Sequence, residues 1–235
     1  MTRVMAFNGS TRLEKGNTER LMTPFLEGMR EAGAEVELLY TAKLDVKDCL
    51  GEFHCWNKVP AECIQRDGMN ELYPKLREAD ILVLGIPRYI PIPAAMQAFI
   101  NRLCPLAEPI LEFKDGRTVV RTHEDTNISR IVLVAVSGWW ELENTDLVVD
   151  IVREMAADFG VEFSGALRRP HAYYMQGEGA EDVLEAARRC GRDLVAKGSM
   201  SEKDLAVVSR PLVDRDADIE RANKAYLEVK RTTEG

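Results

Sequence analysis

A parallel α/β sheet covered by helices on both faces is the fold class this chain predicts, on three observations. Short apolar runs rich in Val, Ile and Leu alternate with longer amphipathic stretches, as buried parallel strands and their crossover helices do. The rhythm recurs five times. The 235 residues, 46% hydrophobic and 30% charged, suit one soluble domain with a sizeable core and a short appendage.

The strands in order are residues 3–8, 35–40, 80–86, 130–137 and 162–168, each a short run bounded by polar or turn residues. The crossover helices are 18–32, 67–78, 92–104, 145–159 and 179–197, the last opening on carboxylates at 181–185 that favour a helix N-terminus. Pro24 lies inside the first helical pattern, where a missing donor and a ring clash predict a kink or a late start. Two segments exceed ordinary loop length: 41–66, with three cysteines, and 105–129, with the turn signal Lys114-Asp115-Gly116-Arg117. Beyond Gly198 the rhythm stops, which divides the chain into a domain at 1–200 and a helical extension at 201–235. In that extension Ile219, Ala222, Tyr226 and Val229 share one helical face, suited either to packing on the same domain or to embracing a second subunit.

Composition excludes several functions. Lys and Arg number 31 against 39 Asp and Glu, a net charge of -8, and the basic residues are scattered, so no nucleic-acid partner is expected. Neither a secretory signal nor a membrane-length apolar run is read, which predicts a cytoplasmic protein without a membrane partner. Five cysteines, an odd number, predict free thiols or former metal ligands rather than a disulfide framework. His54, His123 and His171 lack HExxH spacing and no G-x-S-x-G elbow occurs, so a hydrolase is unsupported. The polar cluster His123-Glu124-Asp125 reads as a solvated loop.

The loop Asn8 to Thr18 carries the clearest chemistry. It places hydroxyls, amides and a helix start beyond a strand's carboxyl end, where open α/β sheets bind ligands. A phosphate there would take hydrogen bonds from Ser10, Thr11, Asn17, Thr18 and their backbone N–H groups, a planar fork from Arg12, and longer-range charge from Lys15. The loop lacks the G-K-[ST] ending of a P-loop and the G-x-G-x-x-G of a dinucleotide site; Gly177-Glu178-Gly179 comes too late to supply the latter. A monophosphate fits better. The competing reading is that Asn17 and Thr18 cap a helix while Gly9 and Gly16 turn the chain.

With later segments this loop resembles the NADPH-dependent FMN reductase and iron-sulfur flavoprotein superfamily, which reads approximately G-S-x-R-x-x-G-N-T here. Residues 79–89, a strand running into Pro87-Arg88-Tyr89, and residues 94–103, the following helix, match in order and spacing, so that the resemblance covers roughly residues 3–200. It implies a flavodoxin-like three-layer α/β/α sandwich with a five-stranded parallel sheet. It also implies that Ser10, Arg12, Asn17 and Thr18, beside Thr11, hold the phosphate of FMN, while Pro87, Arg88, Tyr89 and Ile90 line its ribityl chain and ring. Ser137, Gly138, Trp139, Trp140 and Glu141 form the expected third wall; their backbone amides suit the pyrimidine edge, and the tryptophans either stack on flavin or nicotinamide or pack internally. This chain departs from the family at Ile90, Pro91 and Pro93, and in having Gln97 and Asn101 where Lys and Asp are usual.

Iron-sulfur flavoproteins carry C-x2-C-x2-C with a fourth cysteine downstream, ligating a four-iron cluster. Here Cys49, Cys55 and Cys63 leave C-x5-C-x7-C with Glu52 in the second place, one thiolate short, so no resident metal is expected. Zinc held by these three with His54 or Glu52 is the alternative. Cys104 and Cys190 fall in predicted helices as small buried residues. The implied activity is that of an FMN-dependent oxidoreductase taking hydride from NAD(P)H and passing electrons to a quinone, flavin, metal or protein acceptor, with no catalytic side chain assigned because the flavin carries the chemistry. A non-enzymatic FMN electron carrier and a binding module with a decayed site are the other two readings. A homodimer or homotetramer is the implied assembly.

Overall fold

The computed structural model describes residues 1–114, 116–177 and 179–234, the side chain of Glu234 excepted. Its sheet contains β1 (Arg3–Asn8), β2 (Glu35–Tyr40), β3 (Ile81–Pro87), β6 (Arg130–Val136) and β7 (Glu162–Arg169), in the order β2-β1-β3-β6-β7 with every pair parallel. β3 is central, and all seven of its residues are buried. This explains why its sequence is a continuous apolar run rather than an alternation.

Alternate residues of each strand feed opposite core layers. Val4 and Ala6 face α1 (Asn17–Glu31) and α6 (Glu181–Lys197), whereas Met5 and Phe7 face α3 (Met69–Glu78), α4 (Ala94–Asn101) and α5 (Asp146–Asp158). Phe7 stacks on Phe99 of α4, with ring centroids 4.0 Å apart. The result is the expected three-layer sandwich. α1 and α6 meet almost backbone to backbone: a Cβ on Gly28 would lie 1.9 Å from the Arg188 carbonyl oxygen, and one on Gly191 1.9 Å from that of Phe25.

Four expectations about elements are corrected. α1 does not start late: it runs from Asn17 with Pro24, which has no N–H to donate, inside it. Residues 105–129 are no plain loop but contain the antiparallel hairpin β4 (Ala107–Lys114) and β5 (Arg117–Thr122). Its register shifts between Glu108 and Leu111, where Pro109 has no N–H to donate. Gly116 of the turn takes φ +82°, while Asp115 lies outside the described residues, as does Glu178 of the Gly177–Gly179 tripeptide. In the cysteine segment the short helix α2 (His54–Asn57) forms, and the predicted helix 92–104 stops early, at Asn101.

After β7 and α6, α7 (Glu202–Ser209) packs on both, with Arg189 donating to Asp204 at 2.6 Å and Ser209 to the Arg168 carbonyl at 3.0 Å. α8 (Arg215–Glu234) packs through its first turns only, where Tyr174 donates to Asp218 at 3.1 Å. Ile219, Tyr226 and Val229 of its apolar face are exposed. Among the described residues no helix is long and apolar enough to cross a membrane.

Candidate functional site

β1 delivers the chain into a tightly pinned loop. The buried Asn8 side chain accepts the Ser10 N–H at 2.8 Å and donates to Glu19 at 2.9 Å. The Gly9 N–H donates to the Gly85 carbonyl at 2.7 Å, and the Ser10 hydroxyl accepts the Arg12 N–H at 3.2 Å. A Cβ on Gly16 would lie 2.5 Å from that hydroxyl, so close approach, not φ, requires glycine there. Gly16 is the residue before α1, and no side chain caps the helix, which removes the reading of Asn17 and Thr18 as caps. The first-turn N–H groups therefore remain open to a ligand. Thr18 is 1% exposed, yet its hydroxyl has no hydrogen-bond partner. A buried orphan hydroxyl beside an uncapped helix start is a cradle suited to an anion. Arg12 and Lys15 are exposed at its rim.

The second loop leaves β3 next door. The Arg88 N–H donates to the Val136 carbonyl at 2.7 Å, and the Tyr89 hydroxyl lies 3.2 Å from that of Thr11, joining the two loops. The Arg88 guanidinium folds onto its own loop, donating to the Tyr89 carbonyl at 2.9 Å, while its Nε is buried without a partner. Ile90 is 95% exposed. Gln97 donates to Asn101 at 2.8 Å, a neutral pair where the family's usual residues would be charged.

The third wall is only partly available. The Ser137 N–H is spent on the Arg169 carbonyl at 2.9 Å and its hydroxyl donates to the Trp139 carbonyl at 3.3 Å, so this amide does not face a ligand. Gly138 sits under Tyr173, whose hydroxyl would be 3.0 Å from a Cβ there. Trp139 is 64% exposed and free to stack. Trp140 is not: it stacks on His171, centroids 6.2 Å apart, and donates to the Val213 carbonyl at 3.1 Å, anchoring the C-terminal segment.

The turn after β7 closes this edge and was not singled out from the sequence. Gln176 donates to Asn17 at 3.2 Å, bringing it to the anion cradle. Arg169 is fully buried and donates to the carbonyls of Pro170, Val208 and Arg210 at 2.9, 2.8 and 2.8 Å. Burial lowers its pKa to about 10, and Arg210 pushes the same way. Its guanidinium lies 2.9 Å from His171 Nε2, which also accepts the Leu212 N–H at 3.0 Å. Burial, and then the Arg169 charge, hold the His171 imidazole below its ordinary pKa. The available signal was the run Arg168-Arg169-Pro170-His171, costly charges at the end of a strand.

Cys104 stands elsewhere than expected. With α4 ending at Asn101, it opens a short turn and lines one open cleft of about 820 Å³ together with Cys49, Cys55 and Cys63.

Counted by themselves, the five strands of the sheet run 2-1-3-4-5, and the loops after β1 and β3 meet at the switch point, which defines the flavodoxin-like class. Residues 2–124 match the model of the NADPH-dependent FMN reductase family, and the chain belongs to that family. An iron-sulfur flavoprotein of Archaeoglobus fulgidus is 33% identical over 107 residues, 45% of this chain and 48% of that protein. One from Methanosarcina thermophila is 29% identical over 102 residues, 43% of this chain and 51% of that protein. The chain thus matches about half the length of these curated relatives. An FMN-dependent NADH-azoreductase of Bacillus anthracis in complex with FMN superposes with a TM-score of 0.58 at 15% identity, covering 85% of this chain and 100% of that one. An NAD(P)H:quinone oxidoreductase of Methanothermobacter marburgensis gives 0.54 at 20% identity, covering 82% and 96%. At these identities the two show a shared fold.

Proposed function

We propose that the chain is an FMN-containing oxidoreductase that accepts hydride from NAD(P)H and hands electrons to a small-molecule or protein acceptor. The single observation that carries the reading is the unpartnered, buried Thr18 hydroxyl at the uncapped start of α1, placed at the sheet's switch point. Ser10, Thr11, Asn17 and Thr18, with the first-turn N–H groups, would hold the phosphate, and Arg12 would cover it from the rim. Pro87, Arg88, Tyr89 and Ile90 would flank the ribityl chain and ring; Gly138 and the exposed face of Trp139 would close the other side beside Ser137. FMN bound there supplies the hydride chemistry, so the protein's part is to bind, orient and exclude water. Membership of the family supports this reading.

The test is to purify the protein, quantify FMN, and add NADPH or NADH without oxygen. Loss of the oxidised-flavin absorbance on adding nicotinamide is the expected result. Protein that neither contains nor takes up FMN overturns the proposal; bound FMN that only a partner protein can reduce makes the chain an electron carrier instead. Self-association as a homodimer or homotetramer belongs to the same reading and is checked by light scattering.

A further inference from the structure

Between α7 and α8 the chain runs along the sheet edge as a strap, residues 210–214, and side chains of that edge hold it. Arg169 donates to the carbonyls of Val208 and Arg210 at 2.8 Å each. The His171 ring accepts the Leu212 N–H through Nε2 at 3.0 Å, and the Trp140 indole donates to the Val213 carbonyl at 3.1 Å. The same edge is joined to the loop after β6 through backbone hydrogen bonds. The Ser137 N–H donates to the Arg169 carbonyl at 2.9 Å, the His171 N–H to that of Trp139 at 2.7 Å, and the Ala172 N–H to that of Ser137 at 2.9 Å. His171 therefore stands between strap and loop, in a left-handed conformation, φ +33°, that residues with a side chain seldom adopt. Its ring stacks on Trp140 with centroids 6.2 Å apart and meets Tyr174 edge-on at 5.8 Å.

The hydrogen bonds decide the state of the ring. His171 Nε2 faces two donors, the Leu212 N–H and the Arg169 guanidinium 2.9 Å away, so it carries a lone pair and the neutral ring has its proton on Nδ1. Nδ1 is itself buried without a hydrogen-bond partner. We propose that this ring is a pH-sensitive clasp: neutral, it holds the strap and the start of α8 against the loop after β6, and protonated at Nε2 it releases them. A proton taken from solvent turns Nε2 into a donor, which can accept from neither partner. It also sets an imidazolium beside the Arg169 cation in a buried place, where like charges repel strongly. Four other charged groups surround this pair. Arg210 of the strap is engaged by Asp182 of α6 at 2.6 Å, and Asp218 of α8 accepts from Tyr174 at 3.1 Å and from Arg221 at 3.2 Å. Asp218 favours the imidazolium, but burial first and the Arg169 charge second outweigh it and hold the ring below its ordinary pKa. Arg169, lowered only to about 10, keeps its charge throughout. A lowered pKa in the clasped state makes the clasp complete above the ordinary imidazole range. It loosens as pH falls through that range toward the clasped value.

The clasp rests on the chain's own contacts and not on the flavin reading, so FMN content is measured alongside and reports separately. Hydrogen exchange of the full chain is followed by mass spectrometry from about pH 7.5 to about pH 5, with rates corrected for intrinsic exchange. Wild-type protein is expected to lose protection at Leu212 by up to about tenfold per pH unit below the ordinary imidazole range, while α1 and α6 keep theirs. His171→Gln offers a neutral acceptor in the place of Nε2 and does not titrate. It is expected to hold the strap with the same protection at both ends of the range. Constant protection in wild-type, equal loss across α1, α6 and the strap, or an acid-driven loss that persists in His171→Gln overturns the proposal. Should His171→Gln fail to fold, nitrogen NMR of the wild-type ring decides. A proton on Nδ1 and none on Nε2 at neutral pH, with the ring turning cationic at the midpoint where Leu212 opens, upholds the clasp. The opposite tautomer, or a ring that stays neutral while the strap opens, overturns it.

Discussion

Thr18 shows how much one atom can disclose. A buried hydroxyl without a partner costs about 1–3 kcal/mol, and a hydrogen bond to a charged group returns about 1.5–3 kcal/mol. Thr18→Val keeps the shape, so FMN affinity is expected to fall roughly ten- to hundredfold while the unliganded protein stays as stable or gains about 1 kcal/mol. Titration by flavin fluorescence, with a thermal melt, measures both. Asp67 behaves oppositely. Its buried side chain receives Arg102 through two hydrogen bonds of 2.7 and 3.1 Å, and the Lys47 and Met69 N–H groups as well. Burial alone would raise its pKa, but these bonds outweigh it and hold the carboxyl below its ordinary value. A depressed folded pKa contributes stability that is complete above the ordinary carboxylate range and is lost as pH falls through the folded value. Asp67→Asn is therefore expected to flatten the acid limb of a stability-versus-pH curve. Asp67→Ala, which strands the Arg102 charge, is expected to cost about 3–5 kcal/mol in urea unfolding.

At the scale of elements, strands and helices are governed by different degrees of locality. β1 and β2 occupy the predicted residues, and α1, α3, α5 and α6 begin and end within two residues of theirs, because each carries its own apolar face. The hairpin β4–β5 was missed since six of the eight residues of β4 are exposed and Pro109 interrupts it, leaving no alternation to read. The closeness of α1 and α6 was equally illegible, because a glycine inside a helical pattern looks merely unfavourable until its neighbour is known. Gly191→Ala sets a methyl against the Phe25 carbonyl, backbone that cannot swing aside, and is expected to destabilise by about 3 kcal/mol. A lowered denaturation midpoint with an unchanged slope is the measurement.

For the whole molecule, ligand and fold are linked by mass action. FMN at a hundredfold excess over its Kd stabilises a protein that binds it only when folded by about 2.7 kcal/mol. At this chain length, that is expected to raise Tm by roughly 5–10 °C; differential scanning calorimetry with and without FMN checks it. The five strands of the parallel sheet and the family resemblance were determined by the sequence alone, since hydrophobic periodicity and a strand-loop-helix motif are local properties that survive without coordinates. Three-dimensional packing alone decided that Trp140 anchors the C-terminal segment while Trp139 stays exposed, and that Arg169 and His171 sit beneath the same edge. Packing also brought Cys104 to the thiols of a segment 41 residues earlier in the chain, counting from Cys63. Sequence spacing carries no record of such a meeting. It depends on where α4 ends and on Trp56 of α2, which donates its indole N–H to the Cys104 carbonyl at 3.2 Å.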